Sequence, residues 1–540
     1  MSFGGVFASR KLQVILDLEK NMAIETDGYD VCVIGAGAAG IVLALDLAQR
    51  GARTLLLEAG GKGYEARSQD LYLGEISGIP YKGLYDGRFR TLGGTTTQWG
   101  GQILEIDDFI FQNRSWVDGS GWPFPKSELQ PFYDLASKWE RLDRSLKHSE
   151  DIWAELGLEK PDFHGDLVSA LSQWCPATNF ARIYGDALAQ SKTLTAVLHA
   201  NACGFFIAND GATVTGVRCR TLRGGQLSFR AKKFVLSMGA IENCRLLLHP
   251  SAAGSATPWG QRGLVGRFYQ DHVSCIAADI LDQAPETTRN YFDYVSTSGF
   301  RFQPKMKLSP ANQEALRTLD VCGFMLFFSG EDDDMALAYE TYRLLKTRRL
   351  HKLSAGRLMH FAAHLHELAW HKMPYSRSLK SNSKERTCKL CVNTEQIPFS
   401  AGRIDLSAQM DVLGLHRPRV AWKTSEQELH SIRRYVEVAS EVFARKGWGR
   451  IVPHRDLFAE GDVMSARFED IFHHIGGTRM GLTEGDGVVD PDLKIFGTRN
   501  AYVCSSSVFP CAGFANPTHT VIALALRLAH HLADLSKQQS

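Results

Sequence analysis

The sequence has almost no excess charge of either sign, since 61 Lys and Arg residues face 59 Asp and Glu residues, a net charge of +2 over 540 residues. This near-neutrality argues against a nucleic-acid binder held mainly by phosphate contacts. No window approaches the roughly 18 apolar residues of a membrane-spanning helix, so none is predicted. The N-terminus, MSFGGVFASRKLQVILDLEK, lacks the long apolar run of a signal peptide. The expectation is a soluble cytoplasmic protein, unless the chain is exported folded on a partner that carries the signal.

The cysteines lack the pattern of a disulfide framework. There are 11 of them, an odd number, scattered mostly within apolar runs. They are expected to be buried free thiols in a reducing compartment. Cys388 and Cys391 form C-x-x-C, but in a strand-like stretch where residues three apart point to opposite faces. No metal site and no redox pair is therefore predicted.

One segment near the N-terminus, YDVCVIGAGAAGIVLALDLAQRGARTLLLEAGG, contains an ordered set of elements. Val31–Ile34 is an apolar, β-branched run typical of a buried parallel strand, and Arg53–Leu57 is predicted as a second strand. Ile41–Gln49 between them has helical spacing. The second strand ends at the acid Glu58. This order of strand, glycine-rich turn, helix, strand and acid predicts a dinucleotide-binding unit.

The turn of this unit reads G-x-G-x-x-G, and each glycine has a physical task. Gly35 permits a tight turn, Gly37 lets the backbone approach a pyrophosphate at a helix N-terminus, and Gly40 allows close helix–strand packing. Glu58 is placed to accept hydrogen bonds from ribose hydroxyls. NAD and FAD both satisfy this fingerprint. The predicted cofactor contacts here are Gly35, Gly37, Ala38, Ala39, Gly40 and Glu58.

Further blocks follow in order along the chain: TLGGTTTQWGG, AKKFVLSMGAIENCRLLL, VGRFYQDH, FHHIGGTRMG and NAYVCSSSVFPCAGFANPTHTVIALALRLAHHL. Together with the N-terminal fingerprint, they resemble the glucose–methanol–choline (GMC) family of flavin oxidoreductases. The resemblance runs from Tyr29 to about Leu532 and is nearest in look to bacterial sugar and alcohol dehydrogenases and pyranose oxidases.

The resemblance implies FAD as the cofactor. A second glycine-rich block suits FAD, because its ribityl chain and flavin ring continue past the pyrophosphate and need an extended crevice. Some members attach FAD through a histidine directly before the tryptophan of this block. That position is Gln98 here, so non-covalent FAD is predicted. The further contacts implied are Gly93, Gly94, Thr95, Gly239, Ser506, Pro517 and Thr518.

The resemblance also implies oxidation of an alcohol by hydride transfer from the carbinol carbon to flavin N5, with a histidine as general base. The family motif H-x-x-G-T matches from His474, and the family's second catalytic position falls on Asn516. A neutral imidazole accepts the proton near physiological pH, and an amide can hold the hydroxyl without titrating. His473 is expected to support His474, and His519 to pack under the flavin or touch its edge.

The predicted fold class is α/β (α+β overall), with a Rossmann-like FAD-binding domain and a substrate domain built on an antiparallel sheet. An N-terminal extension spans 1–28, with a short helix around Leu12–Asn21. The FAD domain is expected at 29–105, 192–272 and 465–540. The substrate domain is expected at 106–191 and 273–464, with strands at Val273–Ile280, Phe300–Lys305, Leu319–Phe328 and Thr387–Thr394.

Residues 331–380 stand apart as a basic segment that predicts two amphipathic helices broken near Ser354–Gly356. It is interpreted as a solvated insertion, a lid over the substrate, a contact between subunits of a homo-oligomer, or a patch that docks on a membrane or partner.

The leading function is a dehydrogenase, rather than an oxidase, acting on a sugar, glycoside or polyol hydroxyl. Its electron acceptor is a quinone, a cytochrome or dioxygen. Two alternatives remain: an FAD-containing lyase that acts on a hydroxynitrile-like substrate, and a non-catalytic flavoprotein.

Overall fold

The structure is a computed structural model that describes residues 15–20, 23–142, 152–250, 257–260, 262–282, 290–297, 299–328, 337–338, 341–342, 344–345, 353–365, 387–399, 401–458 and 467–538. Within these ranges no helix is both long enough and apolar enough to span a bilayer. Much of the predicted insertion 331–380 lies outside the described residues. Its described part contains a helix that begins after the capping side chain of Ser354, where the predicted break between two helices lies.

The described strands, numbered along the chain, are β1 (Ile15–Asp17), β2 (Tyr29–Ile34), β3 (Thr54–Leu57), β4 (Glu75–Gly78), β5 (Gln102–Ile103), β6 (Leu167–Trp174), β7 (Leu194–Leu198), β8 (Asn201–Ile207), β9 (Val214–Arg220), β10 (Gln226–Phe229), β11 (Ala231–Leu236), β12 (Val273–Leu281), β13 (Val295–Thr297), β14 (Phe300–Leu308), β15 (Val321–Phe328), β16 (Thr387–Thr394), β17 (Arg403–Met410), β18 (His416–Trp422), β19 (Arg450–Pro453), β20 (Glu469–Asp470) and β21 (Ala501–Val503). The described α-helices are α1 (Ala38–Gln49), α2 (Ala66–Gln69), α3 (Asp108–Phe111), α4 (Lys126–Trp139), α5 (Ile152–Glu155), α6 (Phe180–Gln190), α7 (Ala240–Leu248), α8 (Pro310–Leu316), α9 (Ala355–Ala363), α10 (Glu426–Lys446) and α11 (Pro517–Gln538).

A parallel sheet of six described strands, in the order β1–β7–β3–β2–β11–β21, carries the nucleotide-binding unit. Its central strands are almost continuously apolar and buried, as expected for a sheet covered on both faces. The chain crosses from β2 through α1 to β3 on one side, while β11 lies on the other side of β2. The carboxyl ends of β2 and β11 therefore flank a topological switch point, where open α/β sheets bind ligands.

The N-terminal extension contributes an edge strand to this sheet rather than the predicted helix. Ile15–Asp17 pairs in parallel with Leu194–Leu198. Local sequence favoured a helix around Leu12–Asn21, but an available sheet edge offers backbone hydrogen bonds that a three-residue segment cannot make alone. The helix prediction is wrong for Ile15–Asp17, and its first residues lie outside the described ranges.

The second large sheet is antiparallel and runs β19–β12–β16–β15–β14–β6–β5, with β13 on β14 and β20 on β12. The four strands predicted for the substrate domain are all in it, namely β12, β14, β15 and β16. One face of the sheet is covered by α10, whose Tyr435 hydroxyl donates to the carbonyl of Met306. The other face carries the side chain of Gln303 on β14, which contacts Gln102 of β5 in the same sheet. The predicted fold class is confirmed, while the domain boundaries stay a prediction.

Two smaller sheets complete the described architecture. One is antiparallel and contains β8, β9 and β10; the other contains β4, β17 and β18. All eleven cysteines lie within the described residues, and each is free and buried. This agrees with the expected absence of a disulfide framework.

Candidate active site

A long cavity opens at the switch point between β2 and β11. It encloses about 1490 Å³ of space outside protein atoms, including its open mouth. Eleven of the thirteen residues predicted to hold the cofactor line it: Gly35, Gly37, Ala38, Ala39, Glu58, Gly94, Thr95, Gly239, Ser506, Pro517 and Thr518. His474 and Trp99 line the same cavity.

Three helices begin at the wall of this cavity. The N-cap of α1 is Gly37, the N-cap of α7 is Gly239, and α11 starts at Pro517. The first-turn N–H groups of a helix have no partner within the helix, and the helix dipole adds partial positive charge there. Converging N-termini therefore favour an anionic ligand such as a pyrophosphate.

The glycines of the two glycine-rich blocks shape the cavity at its narrowest point. A Cβ built at Gly94 would lie 3.0 Å from Cα of Gly37, while a Cβ at Gly37 would enter open space. The cavity is therefore open where Gly37 has no side chain, and a ligand can approach the backbone there.

Gly40 and Gly93 do not line the cavity, and their tasks are internal. A Cβ at Gly40 would lie 1.8 Å from the carbonyl oxygen of Gly35, so only glycine lets α1 approach the turn. Gly93 has a φ of 91° and donates its N–H to the carbonyl of Ala36 over 2.9 Å. Both residues hold the backbone in place around the cavity, and their predicted contact with the cofactor stays a prediction.

Glu58 lies at the end of β3 with its carboxylate buried. One oxygen accepts from the N–H of Ala36 at 3.0 Å and the other from the N–H of Gly60 at 2.8 Å. Burial raises the pKa of Glu58, and these hydrogen bonds together with the nearby charge of Arg90 oppose that rise. Each carboxylate oxygen has a second lone pair, so the group can also accept from a diol of the ligand.

These observations fit FAD. The cavity joins an acid suited to ribose, a cradle without side chains suited to a pyrophosphate, and a continuation past Gly94 and Trp99 toward the histidines. The cavity is therefore longer than the part of it that the N-terminal dinucleotide-binding unit lines.

The structure brings Asn516 together with His473, not with His474. The side-chain nitrogen Nδ2 of Asn516 lies 3.2 Å from Nε2 of His473. The two histidines are consecutive in an extended segment, next to the bridge between Ile475 and Gln270. Consecutive side chains in extended backbone point to opposite sides, so only one of the two can face Asn516. The sequence assigned His474 and Asn516 to the two catalytic positions, and the histidine that contacts Asn516 here is His473.

His474 has a different partner. Its Nε2 lies 2.9 Å from the carbonyl oxygen of Gly83, and because a carbonyl can only accept, this nitrogen carries the proton and donates it. Burial, with a smaller contribution from the charge of Arg88, lowers the pKa of His474 to about 3. Ser506, whose hydroxyl donates to the carbonyl of His474, fixes its backbone.

Two residues just before β12, His272 and Asp271, hold the ring and the backbone of His473. Its Nδ1 lies 2.8 Å from Nδ1 of His272. The backbone N–H groups of His473 and His272 both donate to one oxygen of Asp271, at 2.8 and 2.7 Å. One carboxyl group thus fixes the backbones of the two paired histidines.

The other oxygen of Asp271 belongs to a buried chain of hydroxyls. It accepts from Tyr81 at 2.8 Å, and the Tyr81 oxygen lies 2.5 Å from that of Tyr269. Burial, assisted by the carboxylate of Asp470, raises the pKa of Asp271 to about 8. The hydrogen bonds from His473 and Tyr81 act in the opposite direction.

The paired histidines are kept neutral by their surroundings. Burial lowers the pKa of His473 well below its ordinary value, and the charges of His272, His474 and Lys305 add to this effect. Burial also lowers the pKa of His272 to about 4. Neutral imidazole is the form that can accept a proton.

His519 lies elsewhere. It is fully buried in the first turn of α11, paired with Glu140 at 2.5 Å and stacked on Tyr133. It does not line the cavity. This is a packing position, and the expected packing under the flavin or contact with its edge stays a prediction.

Sequence reasoning missed Tyr81, Asp271 and His272 as parts of the site. The block VGRFYQDH contributed to the family resemblance, but nothing local in it shows which residue it faces. The register of the histidines had a visible ambiguity: His473 precedes Gly476 by three residues, and His474 precedes Gly477 by three. The first four positions of the motif, H-x-x-G, therefore fit from either histidine, whereas the threonine of H-x-x-G-T follows at the right spacing only from His474.

Comparisons with known proteins agree with this geometry. A family described as FAD dependent oxidoreductase matches residues 30–297, and one described as GMC oxidoreductase matches residues 398–525. Paromamine 6'-oxidase of Streptomyces fradiae is 24% identical over 94% of this chain and 91% of its own. C-glycoside 3-oxidase of Microbacterium trichothecenolyticum is 43% identical over 63 residues, 12% of each chain.

Solved structures share the fold. Pyridoxine 4-oxidase from Mesorbium loti superposes with a TM-score of 0.55 at 15% identity, covering 93% of this chain and 99% of its own. A variant of Aspergillus oryzae formate oxidase gives a TM-score of 0.56 at 16% identity, covering 96% and 100%. With the two family matches, the FAD-shaped cavity and the relatives that span nearly the whole chain, this protein belongs to the GMC oxidoreductases, a family of FAD-dependent enzymes acting on CH–OH groups.

Proposed function

We propose that this enzyme oxidises a hydroxyl of a sugar, glycoside or polyol to a carbonyl, with His473 as general base and Asn516 as the group that holds the hydroxyl. The observation that carries the proposal is the 3.2 Å approach of the Asn516 amide to Nε2 of His473. Sequence spacing favours His474 as the base instead. We prefer His473 because Nε2 of His474 already donates its proton to Gly83.

The proton moves along groups of this chain. The amide N–H of Asn516 donates to the substrate oxygen, and the substrate hydroxyl donates to Nε2 of His473. When bound, FAD supplies the two-electron acceptor for the hydride that leaves the carbinol carbon. The hydroxyl proton goes to Nε2 of His473, so that the alcohol loses one hydride and one proton and becomes a carbonyl.

His272 sets the tautomer of the base. To accept at Nε2, neutral His473 must carry its proton on Nδ1, and that N–H donates to Nδ1 of His272. The same contact orients the ring toward Asn516. Asp271, which binds the backbone of both histidines, keeps this pair aligned.

Relatives support the substrate class and bear on the acceptor. The names paromamine 6'-oxidase and C-glycoside 3-oxidase both point to sugar-containing substrates. The sequence favoured a dehydrogenase, but these relatives are named oxidases, so dioxygen is the acceptor to test first.

The test is anaerobic mixing of the purified flavoprotein with a panel of sugars, glycosides, polyols and simple alcohols. Bleaching of the yellow flavin band by at least one of them is expected. Readmission of air, or addition of a quinone, then identifies the acceptor by the return of the colour. A panel that never bleaches the flavin, alongside cleavage of a hydroxynitrile, would identify a lyase and refute the proposal.

A further inference from the structure

We infer that Lys305 is a specificity residue of the substrate site, and that the preferred substrate is an acidic sugar whose carboxylate binds its ammonium group. This inference rests on the proposed function, since it names the substrate class of the same site. It is carried by the position of Lys305 on the antiparallel sheet.

Lys305 lies on the face of the sheet opposite α10, where Lys307 pairs with Asp107, the N-cap residue of α3. Side chains on β14 alternate between faces, so Gln303, Lys305 and Lys307 share one face, while Met306 packs on the other under α10. Gln303 contacts Gln102 of β5, the strand of the same sheet that follows the second glycine-rich block.

The proposed catalytic histidines lie on the same face of the sheet, several strands away from Lys305. Strand pairing aligns Lys307 with Cys322, Cys322 with Asn393, and Asn393 with Ser274. His272 precedes Ser274 by two residues and therefore points to the same side. The charge of Lys305 is close enough to lower the pKa of both His272 and His473.

Lys305 is buried without a counter-ion among the described residues. Its side chain is 4% exposed, and its contact there is with the ring of Phe324, whose centroid lies 4.4 Å from Nζ. The next lysine on this face, Lys307, is paired with Asp107. An ammonium group taken out of water without a partner is costly, and burial lowers the pKa of Lys305. An acidic ligand would supply the missing partner and favour the charged form of this lysine.

A second polar atom on this face also lacks a partner. The side-chain oxygen of Asn393 is buried and accepts no hydrogen bond from the described residues. An unpaired acceptor and an unpaired cation on the same face of the sheet suit a ligand that carries both hydroxyl and acidic groups. Phe324 offers an apolar surface next to them.

A carboxylate fits this site better than a phosphate. A phosphate group carries up to two charges and is usually bound by several donors or by arginine. Among the described residues of this sheet face, Lys305 is the lysine without an acidic partner, because Asp107 already neutralises Lys307. A single negative charge is therefore the matched ligand.

The experiment compares pairs of compounds in which a carboxylate replaces one CH2OH group: methyl β-D-glucuronide with methyl β-D-glucoside, and gluconate with glucitol. Steady-state rates and anaerobic flavin reduction are measured on the holoenzyme. Wild type is expected to favour the acid of each pair. Lys305→Met should cut kcat/KM for the acid by about tenfold to a hundredfold, through KM, and leave the neutral partner within about threefold.

Two further variants serve as controls. Lys305→Arg keeps the charge and should retain the preference for the acid. Lys307→Met removes a paired lysine from the same strand face and should leave the preference unchanged. Lys305→Met should also keep or raise the melting temperature, because it removes an unpaired buried charge.

Calorimetric titration with the same compounds gives a readout that needs no turnover. If no alcohol bleaches the flavin but the acid still binds in a Lys305-dependent way, the proposed oxidation fails and the anion site stands. Equal binding of acid and neutral partners in wild type would overturn the inference. An acid preference that survives in Lys305→Met would overturn it as well.

Discussion

The side-chain amide of Asn516 lies 3.2 Å from Nε2 of His473, whereas the adjacent His474 turns its Nε2 to the carbonyl of Gly83. Two consecutive histidines thus have separate tasks. One faces the amide that we propose to hold the substrate hydroxyl, with a nitrogen that can accept a proton, and the other is a hydrogen-bond donor in the wall of the cofactor cavity.

The first prediction separates these tasks. His473→Ala should slow anaerobic flavin reduction by about 10²–10⁴-fold with FAD still bound, because it removes the general base. Asn516→Ala should slow it by about 10- to 10²-fold, or roughly 1.4 to 2.7 kcal/mol of transition-state stabilisation. His474→Ala should cost less than His473→Ala. Stopped-flow reduction of flavin-loaded protein measures all three, and a severe His474→Ala beside a mild His473→Ala would restore His474 as the base.

The second prediction concerns pH. His473 acts as a base only when neutral, and burial lowers its pKa well below 6.5, so it stays neutral over the whole range above that lowered value. The rate of flavin reduction should therefore be flat around neutral pH and fall only at a pH well below 6.5. This acid limb should be absent in His473→Ala. A wild-type limb centred at or above 6.5 would contradict the neutral, buried state of His473.

The sequence correctly predicted the helices and strands that show a clear local periodicity of apolar residues. The apolar run before Gly35, the turn and α1 appear where strand and helix periodicity predicted them, and the strands of the antiparallel sheet do as well. The strand at Ile15–Asp17 was missed because its partner, β7, lies far along the chain. A three-residue edge strand has no periodicity of its own.

The site was predicted only in part, for a related reason. The glycines of the G-x-G-x-x-G turn and Glu58 lie close together in sequence, so their spacing alone predicts a dinucleotide-binding unit. The His473–His272–Asp271 arrangement joins residues about two hundred positions apart, through the meeting of two extended segments. Lys305 has no local signal either, since a lysine within a strand is usually solvated and only the sheet shows that this one is buried.

The third prediction is that FAD is held without a covalent bond. Gln98 occupies the position from which a histidine binds FAD covalently in some members, and an amide cannot form that bond. Denaturation in acid or by heat, followed by filtration, should release all of the flavin. Yellow colour that stays with the denatured polypeptide would show attachment through another residue.

The fourth prediction concerns Glu58. Glu58→Ala leaves the N–H groups of Ala36 and Gly60 without their acceptor and removes the acid that faces ribose. Loss of about 1–3 kcal/mol should weaken FAD retention by roughly 5- to 150-fold. Turnover per bound FAD should change little, because the acid lies far along the cavity from the histidines. Flavin content after dialysis, measured beside the reduction rate, checks both parts, and normal loading with slow turnover would contradict this placement.

The last prediction contrasts two glycines of the same turn. A Cβ at Gly37 meets nothing within 4 Å and enters the cavity, whereas a Cβ at Gly40 would lie 1.8 Å from the carbonyl of Gly35. Gly37 also has a φ of −80° and a ψ of −165°, which alanine adopts without strain. Gly37→Ala should therefore keep its melting temperature at matched FAD occupancy while binding FAD at least about tenfold more weakly, because the methyl group occupies ligand space.

Gly40→Ala, in contrast, should destabilise the fold itself. Its methyl group forces α1 away from the turn, and overpacking of this kind costs about 1–3 kcal/mol. The melting temperature should fall, and cofactor loading should fall with it as a consequence. Thermal unfolding followed by far-ultraviolet circular dichroism, with flavin content measured on the same samples, separates the two variants. Full FAD retention in Gly37→Ala would show that the cofactor backbone does not pass over that residue, and an unchanged melting temperature in Gly40→Ala would show that α1 has room to move.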